Sequence, residues 1–225
     1  MATRTRFLRG VYEPEQAELT SRLLGSGDVF WDIGAHFGYY TLLASRAVAS
    51  ASRNERPGMV CSFEPVPANQ WFLERHVRWN RLNHTRIMRC AVAGRDGEAT
   101  FQRSGTGSGR LSNEGELTVP TRSIDSLAAG ELPPPTCMKI DVEGAEAEVL
   151  LGAKQTLAQH SVLLIVALHG PQATSDCLEI VSDYKCGFVH LPSRALIIAH
   201  TDPAQLPRLL VERYLGDNAT MARAS

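Results

Sequence analysis

Apolar runs of strand length punctuate the chain at residues 29–33, 59–63, 87–92, 137–142 and 161–168, and helical-period segments separate most of them. This alternation restricts the fold sharply. Each strand must bury its run and each helix its apolar stripe, and a mostly parallel sheet covered by helices on both faces satisfies both demands. The run at 161–168 (SVLLIVAL) is almost wholly apolar, as expected of a strand buried on both faces.

The segments between follow the same grammar. Residues 14–24 read as a helix with Pro14 in its first turn and Gly25 beyond its end. Further helices are expected at 39–51, 67–79, 145–159 and 171–185, with a strand at 117–121 and a brief helix capped by Ser123. Asp96-Gly97 is a tight-turn signal, from which 99–102 is expected to pair back on 87–92 as a hairpin. Residues 104–115 (SGTGSGRLSNEG) are too polar and glycine-rich to bury, and read as a mobile loop, either a surface excursion or a lid. Runs at 188–191 and 195–199 flank Pro192-Ser193-Arg194 as a final antiparallel hairpin, and a helix at 203–214 precedes a polar tail. A chain of 225 residues is expected to form one α/β domain: an N-terminal helical segment (1–27), a core (28–200), and a C-terminal helix and tail (201–225).

A formal net charge of −1 gives no electrostatic footprint for nucleic acid or an anionic membrane. No apolar stretch approaches the roughly eighteen residues of a membrane span. Arg4, Arg6 and Arg9 are followed by Val11-Tyr12-Glu13-Pro14 where a signal peptide needs its apolar stretch. The five cysteines are odd in number, lack a C-x-x-C spacing and read as core thiols, which fits a reducing cytoplasm.

The stretch VFWDIGAHFGYYT (29–41) joins the first strand to the first core helix. In open α/β sheets, ligands bind beyond the carboxyl ends of the strands at such a turn. The dinucleotide fingerprint needs a second glycine two residues after the first, but Ala35 and His36 follow Gly34. A P-loop is absent as well. What remains is D-x-G-x-x-x-G: Asp32, Gly34 and Gly38. Gly34 is expected to turn the chain and leave a flat surface for a ligand. Gly38 lets the helix N-terminus approach a carboxylate, and Asp32 places a negative charge beside an amine or sulfonium. Carboxylate, ammonium and sulfonium together describe S-adenosylmethionine. The second strand ends in Glu64, either an acceptor for both ribose hydroxyls or a cap for the helix announced by Pro65 and Pro67.

MKIDVEGAEAEVLLGA (138–153), together with GVYEPEQ, VFWDIGAHFGYYT, FEPVPAN and TRSIDSL, resembles the FkbM-type family of S-adenosylmethionine-dependent methyltransferases from about Gly10 to His169. The resemblance implies a seven-stranded Rossmann-like methyltransferase fold and O-methylation of a hydroxyl on a sugar, glycolipid or secondary metabolite. It places Asp32, Gly34, Ala35, His36 and Gly38 in the cofactor turn. Glu64 with Pro65 takes the ribose side, Asp141 and Glu143 follow strand four, and Tyr12 and Glu13 close over the cofactor. Two positions depart from the family pattern. His36 stands where Asn is usual, and Ala167 stands where a Glu near the end of strand five is usual.

Methyl transfer from a sulfonium is an in-line displacement, so the protein mainly aligns acceptor oxygen, methyl and sulfur. A hydroxyl acceptor also gains from a base. Asp141 and His169 end adjacent predicted strands and are the candidates, each with a structural alternative: Asp141 as cofactor anchor, His169 as a hydrogen bonder. Glu143 is a third candidate or a helix cap, and Lys139 either pairs with these acids or snorkels outward. Asp141, Glu143 and His169 have donor atoms suited to a metal, but no compact ligand motif accompanies them and none is expected. Three competing classes are a catalytically impaired cofactor-binding protein, motivated by Ala167, an NAD-dependent oxidoreductase, and a nucleic-acid methyltransferase. The last lacks its Asn/Asp-Pro-Pro-aromatic signature here, where DVEG stands.

Overall fold

The computed structural model describes residues 13–49, 58–104, 108–111, 117–191, 195–206 and 210. The first half runs α1 (Pro14–Leu23), β1 (Val29–Ile33), α2 (Tyr39–Val48), β2 (Met59–Phe63), α3 (Pro67–Trp79) and β3 (Thr85–Met88). A smaller set follows: β4 (Ala91–Val92), β5 (Gly97–Ser104), β6 (Ser108–Leu111), β7 (Leu117–Arg122) and α4 (Ile124–Gly130). The second half is β8 (Cys137–Ile140), α5 (Glu146–Leu151), α6 (Lys154–Gln159), β9 (Leu163–Ala167), α7 (Pro171–Asp183), β10 (Gly187–Leu191) and β11 (Leu196–His200).

Seven strands form one sheet in the order β10-β11-β9-β8-β1-β2-β3. The pairs from β9 to β3 are parallel, and β11 runs antiparallel to both β9 and β10. This is the Rossmann-like, mostly parallel α/β fold with a C-terminal antiparallel hairpin. Side-chain alternation gives the sheet two cores. Trp31, Ile33, Cys61, Phe63, Met138, Ile140, Leu164 and Val166 face one cluster, with Val149 and Leu150 of α5 and Cys177 and Val181 of α7. Phe30, Val60, Cys137, Leu163 and Ile165 face the other, with Leu19 and Leu23 of α1 and Ala44 and Val48 of α2. Each fully buried aliphatic side chain contributes about 1.5–3 kcal/mol of transfer free energy. All five cysteines are buried and free. Burial pushes the Cys61 thiol up to about 12.

The second face carries a polar layer at its carboxyl-terminal end. Asp32, Ser62 and Lys139 share the alternation of Phe30, Val60 and Cys137, and Asp32 pairs in register with both Ser62 and Lys139. All three are buried. Thr41 of α2 covers them, donating to Asp32 at 2.6 Å and lying 2.8 Å from Ser62 Oγ.

Several sequence expectations are corrected. The run at 87–92 is not one strand: β3 closes the large sheet, whereas β4 enters a separate sheet of order β4-β7-β5-β6. The segment after Asp96-Gly97 does not pair back on that run; β5 pairs antiparallel with β6 and β7 instead. Part of 104–115 is the strand β6 rather than loop, while 105–107 and 112–115 lie outside the described residues. The fourth strand stops at Ile140, two residues short of the expected end, because Asp141 N donates to Ile33 O and the chain then leaves the sheet. The expected helix 145–159 is two helices, broken at Gly152-Ala153. A tertiary contact causes the break: a Cβ on Gly152 would lie 2.3 Å from Ala93 O. Asp125 then starts α6, its carboxylate accepting from Gln155 N and Thr156 N. Ser123 caps α4 as expected, accepting from Ser126 N at 3.2 Å. The turn at 192–194 and most of the helix expected at 203–214 lie outside the described residues.

Gly152→Val forces the 93–94 backbone apart, so urea unfolding should show a loss of at least about 2 kcal/mol. A variant within about 0.5 kcal/mol of the parent would contradict the assigned role of this contact.

Candidate active site

Three neighbouring strands, β8, β1 and β2, end in the segments that build the site. After β1 the chain turns through Gly34 at φ +83 and His36 at φ +52, and Gly38 at φ +89 begins α2. The left-handed region tolerates Asn and His better than most side chains, so the His36 departure is conformationally compatible. Gly34 turns the chain as expected, and a further constraint acts on it: a Cβ there would sit 1.9 Å from Asp141 O, so the missing side chain also makes room for the β8 exit.

Glu64, 4% exposed, locks the turns after β1 and β2 together. Its Oε2 accepts from His36 N at 2.8 Å, and its Oε1 accepts from Val66 N at 2.8 Å and Asn69 Nδ2 at 3.1 Å. These bonds tie Glu64 to the start of α3, although that helix has no side-chain cap on its own N–H groups. Burial raises the Glu64 pKa, partly offset by these hydrogen bonds. Asp32 is fully enclosed. Burial raises its pKa, and the Lys139 ammonium draws it back down. Pro65 is half-buried beside Glu64, and Ala35 is buried with its N–H donated to Phe63 O. Tyr12 lies outside the described residues; Glu13 accepts from Tyr40 Oη at 2.9 Å.

A second group lies at the ends of β8 and β9. Lys139 Nζ donates to Asp141 Oδ2 at 2.7 Å. Burial opposes the Asp141 charge, but Lys139, His169 and His36 together hold its carboxyl below the ordinary value. His169 Nε2 lies 3.6 Å from Asp141 Oδ1 and 3.8 Å from Glu143 Oε2. Its Nδ1 lies 2.8 Å from Glu146 Oε1, a completely buried carboxylate that also accepts from Gly144 N at 3.0 Å and Val142 N at 3.3 Å. Glu146 Oε2 has no hydrogen-bond partner. The Glu146 hydrogen bond raises the His169 pKa against its partial burial, and Asp141, Glu146 and Glu143 add to the rise. Despite its own burial, Glu146 is held below its ordinary value by His169 and the Gly144 N–H.

The structure thus brings together Asp141, Glu143 and His169, and separately Asp32, Gly34, Ala35, His36 and Glu64 around the adjoining turn. Such a site offers acceptors for hydroxyl groups, a helix N-terminus, and an imidazole whose orientation is set by a buried acid.

The family model described as methyltransferase FkbM domain matches residues 32–190, which span both groups. The chain belongs to the methyltransferase FkbM family. With that membership comes its cofactor, S-adenosylmethionine. A curated relative, the hexuronic acid methyltransferase AglP of Haloferax volcanii, is 32% identical over 187 residues, covering 81% of this chain and 72% of the relative. Among solved structures, methyltransferase FkbM from Methylobacillus flagellatus aligns with a TM-score of 0.55 at 20% identity, over 77% of this chain. This FkbM-family chain spans only 43% of that protein's length. An S-adenosylmethionine-dependent O-methyltransferase from Thermotoga maritima aligns at 0.53 and 13% identity, over 84% of this chain and 65% of its own. At these identities the two structures show the shared fold.

Sequence reasoning missed Glu146 in this FkbM-family site. Its position in the first turn of a helix reads as a dipole-complementing acid, and only the fold brings it under His169. Its spacing four residues after Val142, whose N–H it caps, is the one local signal.

The His169 pKa should therefore lie above the ordinary value of about 6.5, and Glu146→Gln should lower it, as read by NMR titration of the imidazole. The sign for stability follows from a raised folded-state pKa. The His169 contribution is complete below the unfolded value and is lost as pH rises through the folded one. An imidazole titration unchanged by Glu146→Gln would contradict the pairing.

Proposed function

We propose that this methyltransferase transfers a methyl group to a ring hydroxyl of a hexuronic acid or related sugar, with His169 as the base. The observation that carries this reading is the Glu146–His169 pair, whose Nε2 points toward Asp141 and Glu143 at the carboxyl ends of β8 and β9. A buried acid on Nδ1 directs Nε2 outward, the arrangement by which an imidazole is oriented to take a hydroxyl proton.

The residues at the β1 turn fit the cofactor. Glu64 Oε2 has His36 N as its one partner among the described residues, leaving a lone pair for a ribose hydroxyl. The N-terminus of the ten-residue helix α2 suits a carboxylate. When bound, S-adenosylmethionine supplies an electrophilic methyl group on a cationic sulfur. Asp141, ionised by its pairing with Lys139, favours that positive charge and positions the sugar hydroxyl next to His169 Nε2. Asp32, enclosed beneath Thr41, supports the turn rather than touching the ligand.

The electrostatics favour a hydroxyl over a carboxylate acceptor. Asp141, Glu143 and Glu146 surround His169, and a sugar carboxylate brought among them would be repelled. The likeness to AglP, a hexuronic acid methyltransferase, supports the sugar class. Ala167 removes one acid found in the family pattern, but three carboxylates and an imidazole remain within reach of the site.

The test is methyl transfer from labelled S-adenosylmethionine to hexuronic acids and their glycosides. His169→Asn should lower kcat by about 10²–10⁴-fold while S-adenosylhomocysteine affinity, read by calorimetry, stays within about twofold. Glu64→Ala should weaken that affinity instead. A His169→Asn enzyme of full activity, or a parent protein that does not bind S-adenosylhomocysteine, would overturn the reading.

A further inference from the structure

Helix α3 places three large aromatic residues at the surface: Trp71 at 50%, Phe72 at 40% and Trp79 at 68% exposure. Trp71, Arg75 and Trp79 recur every four residues and therefore form one stripe, about 12 Å long. Together with Glu74 and Arg78 they line a surface groove of about 320 Å³. Arg75 Cζ lies over the Trp71 ring, 3.4 Å from its centroid. A guanidinium stacked this way keeps its N–H edge directed outward, in the fork that matches a carboxylate.

The charge of the groove is cationic. Its one acid among the described residues, Glu74, is held by Arg89 at 2.6 Å. Among the described residues, Arg75 and Arg78 have no ion-pair partner. The stripe is also continuous with the candidate active site. Trp71 meets Phe72 at 4.7 Å, Phe72 meets Phe37 at 5.0 Å, and Phe37 meets His36 in the cofactor turn at 3.9 Å. His76 Nδ1 lies 2.7 Å from Phe37 O, tying the middle of α3 to that turn.

We infer that the Trp71–Arg75–Trp79 groove is a second saccharide subsite, which holds flanking carboxylate-bearing sugars of an acidic oligosaccharide acceptor. The inference rests on the sugar-acceptor reading above and adds the size and charge of the acceptor. A pyranose presents an apolar C–H face that packs on indole, and a uronic acid adds a carboxylate for Arg75 and Arg78. Charge complementarity decides between occupants. In a two-fold interface the patch meets its own copy, which would set Arg75 and Arg78 against like charges, since Glu74 is held by Arg89. Arg75 also interrupts the apolar face that insertion into a lipid surface needs. The division of labour is electrostatically consistent. Carboxylates dock at the arginines of α3, and an uncharged hydroxyl enters among the acids around His169.

The experiment uses the full chain with tetrasaccharides of galacturonic, glucuronic and mannuronic acid, and neutral tetrasaccharides as controls. Tryptophan fluorescence reads binding, and labelled methyl transfer reads turnover. The parent should bind at least one acidic tetramer and none of the neutral ones. Trp79→Ala and Arg75→Ala should each weaken that binding and raise the tetramer KM by about tenfold. Their KM for the monosaccharide uronic acid, their kcat and their S-adenosylhomocysteine affinity should be unchanged. Because both side chains are on the surface, thermal unfolding should match the parent and confirm that the variants fold.

Equal binding of neutral tetramers, no binding of any tetramer, or variants as effective as the parent would overturn the subsite. So would a parent dimer that Trp79→Ala dissociates, or binding to phosphatidylglycerol vesicles in place of saccharide. Saccharide binding lost in the variants, with no methyl transfer to any sugar, would support the subsite and overturn the acceptor reading instead.

Discussion

A buried lysine organises this molecule. Lys139 is 1% exposed in the middle of the sheet, in register with Asp32 and two residues before Asp141. An isolated ammonium there would be prohibitively costly, so its surroundings are constrained to compensate it. Asp141 accepts its hydrogen bond, the Asp32 carboxylate lies across the strand pair, and the Tyr40 ring covers it at 4.2 Å. Removing Lys139 would leave the enclosed Asp32 and the part-buried Asp141 without their shared cation. That dependence explains why strand, turn and helix meet at one point: β8 supplies the cation, β1 an acid, and α2 the aromatic lid and the Thr41 hydroxyl.

The chemistry proposed for the site follows from the same arrangement. With its charge secured by Lys139, Asp141 stays ionised at the mouth of the sheet, next to the His169 ring. Glu146, buried under that ring, fixes its orientation through Nδ1 and caps the 142–144 turn through two backbone N–H groups. Glu64 performs the corresponding task on the other side, joining the turn after β1 to the first turn of α3. Both halves of the site are thus tied together by acids that accept from backbone N–H groups. The groove on α3 begins where the Glu64 turn ends.

Much of this was legible in the letters. Strands β1 and β2 coincide with their expected limits because each is one apolar run, and helix α3 does so with Pro67 marking its start. The meeting of Asp141 and His169 was legible because both residues follow apolar runs, and sheet order makes such positions neighbours. What stayed hidden depended on tertiary contacts. Nothing local separates Met88 from Ala91, yet they pair in different sheets. Gly152 breaks a helix only because Ala93 presses against it. Glu146 looks like an ordinary first-turn acid until β9 returns beside it, and an exposed Trp79 has the same letter as a buried Trp31.

The central claim is that the methyl group goes to a sugar hydroxyl, placed by acids that exclude a carboxylate. The stability of the methylated product to mild alkali tests it most directly. A product from a labelled hexuronic acid reaction should retain its label through alkaline treatment, as a methyl ether does, with the free carboxylate still visible by NMR. Release of the label as methanol would identify a methyl ester and contradict the account.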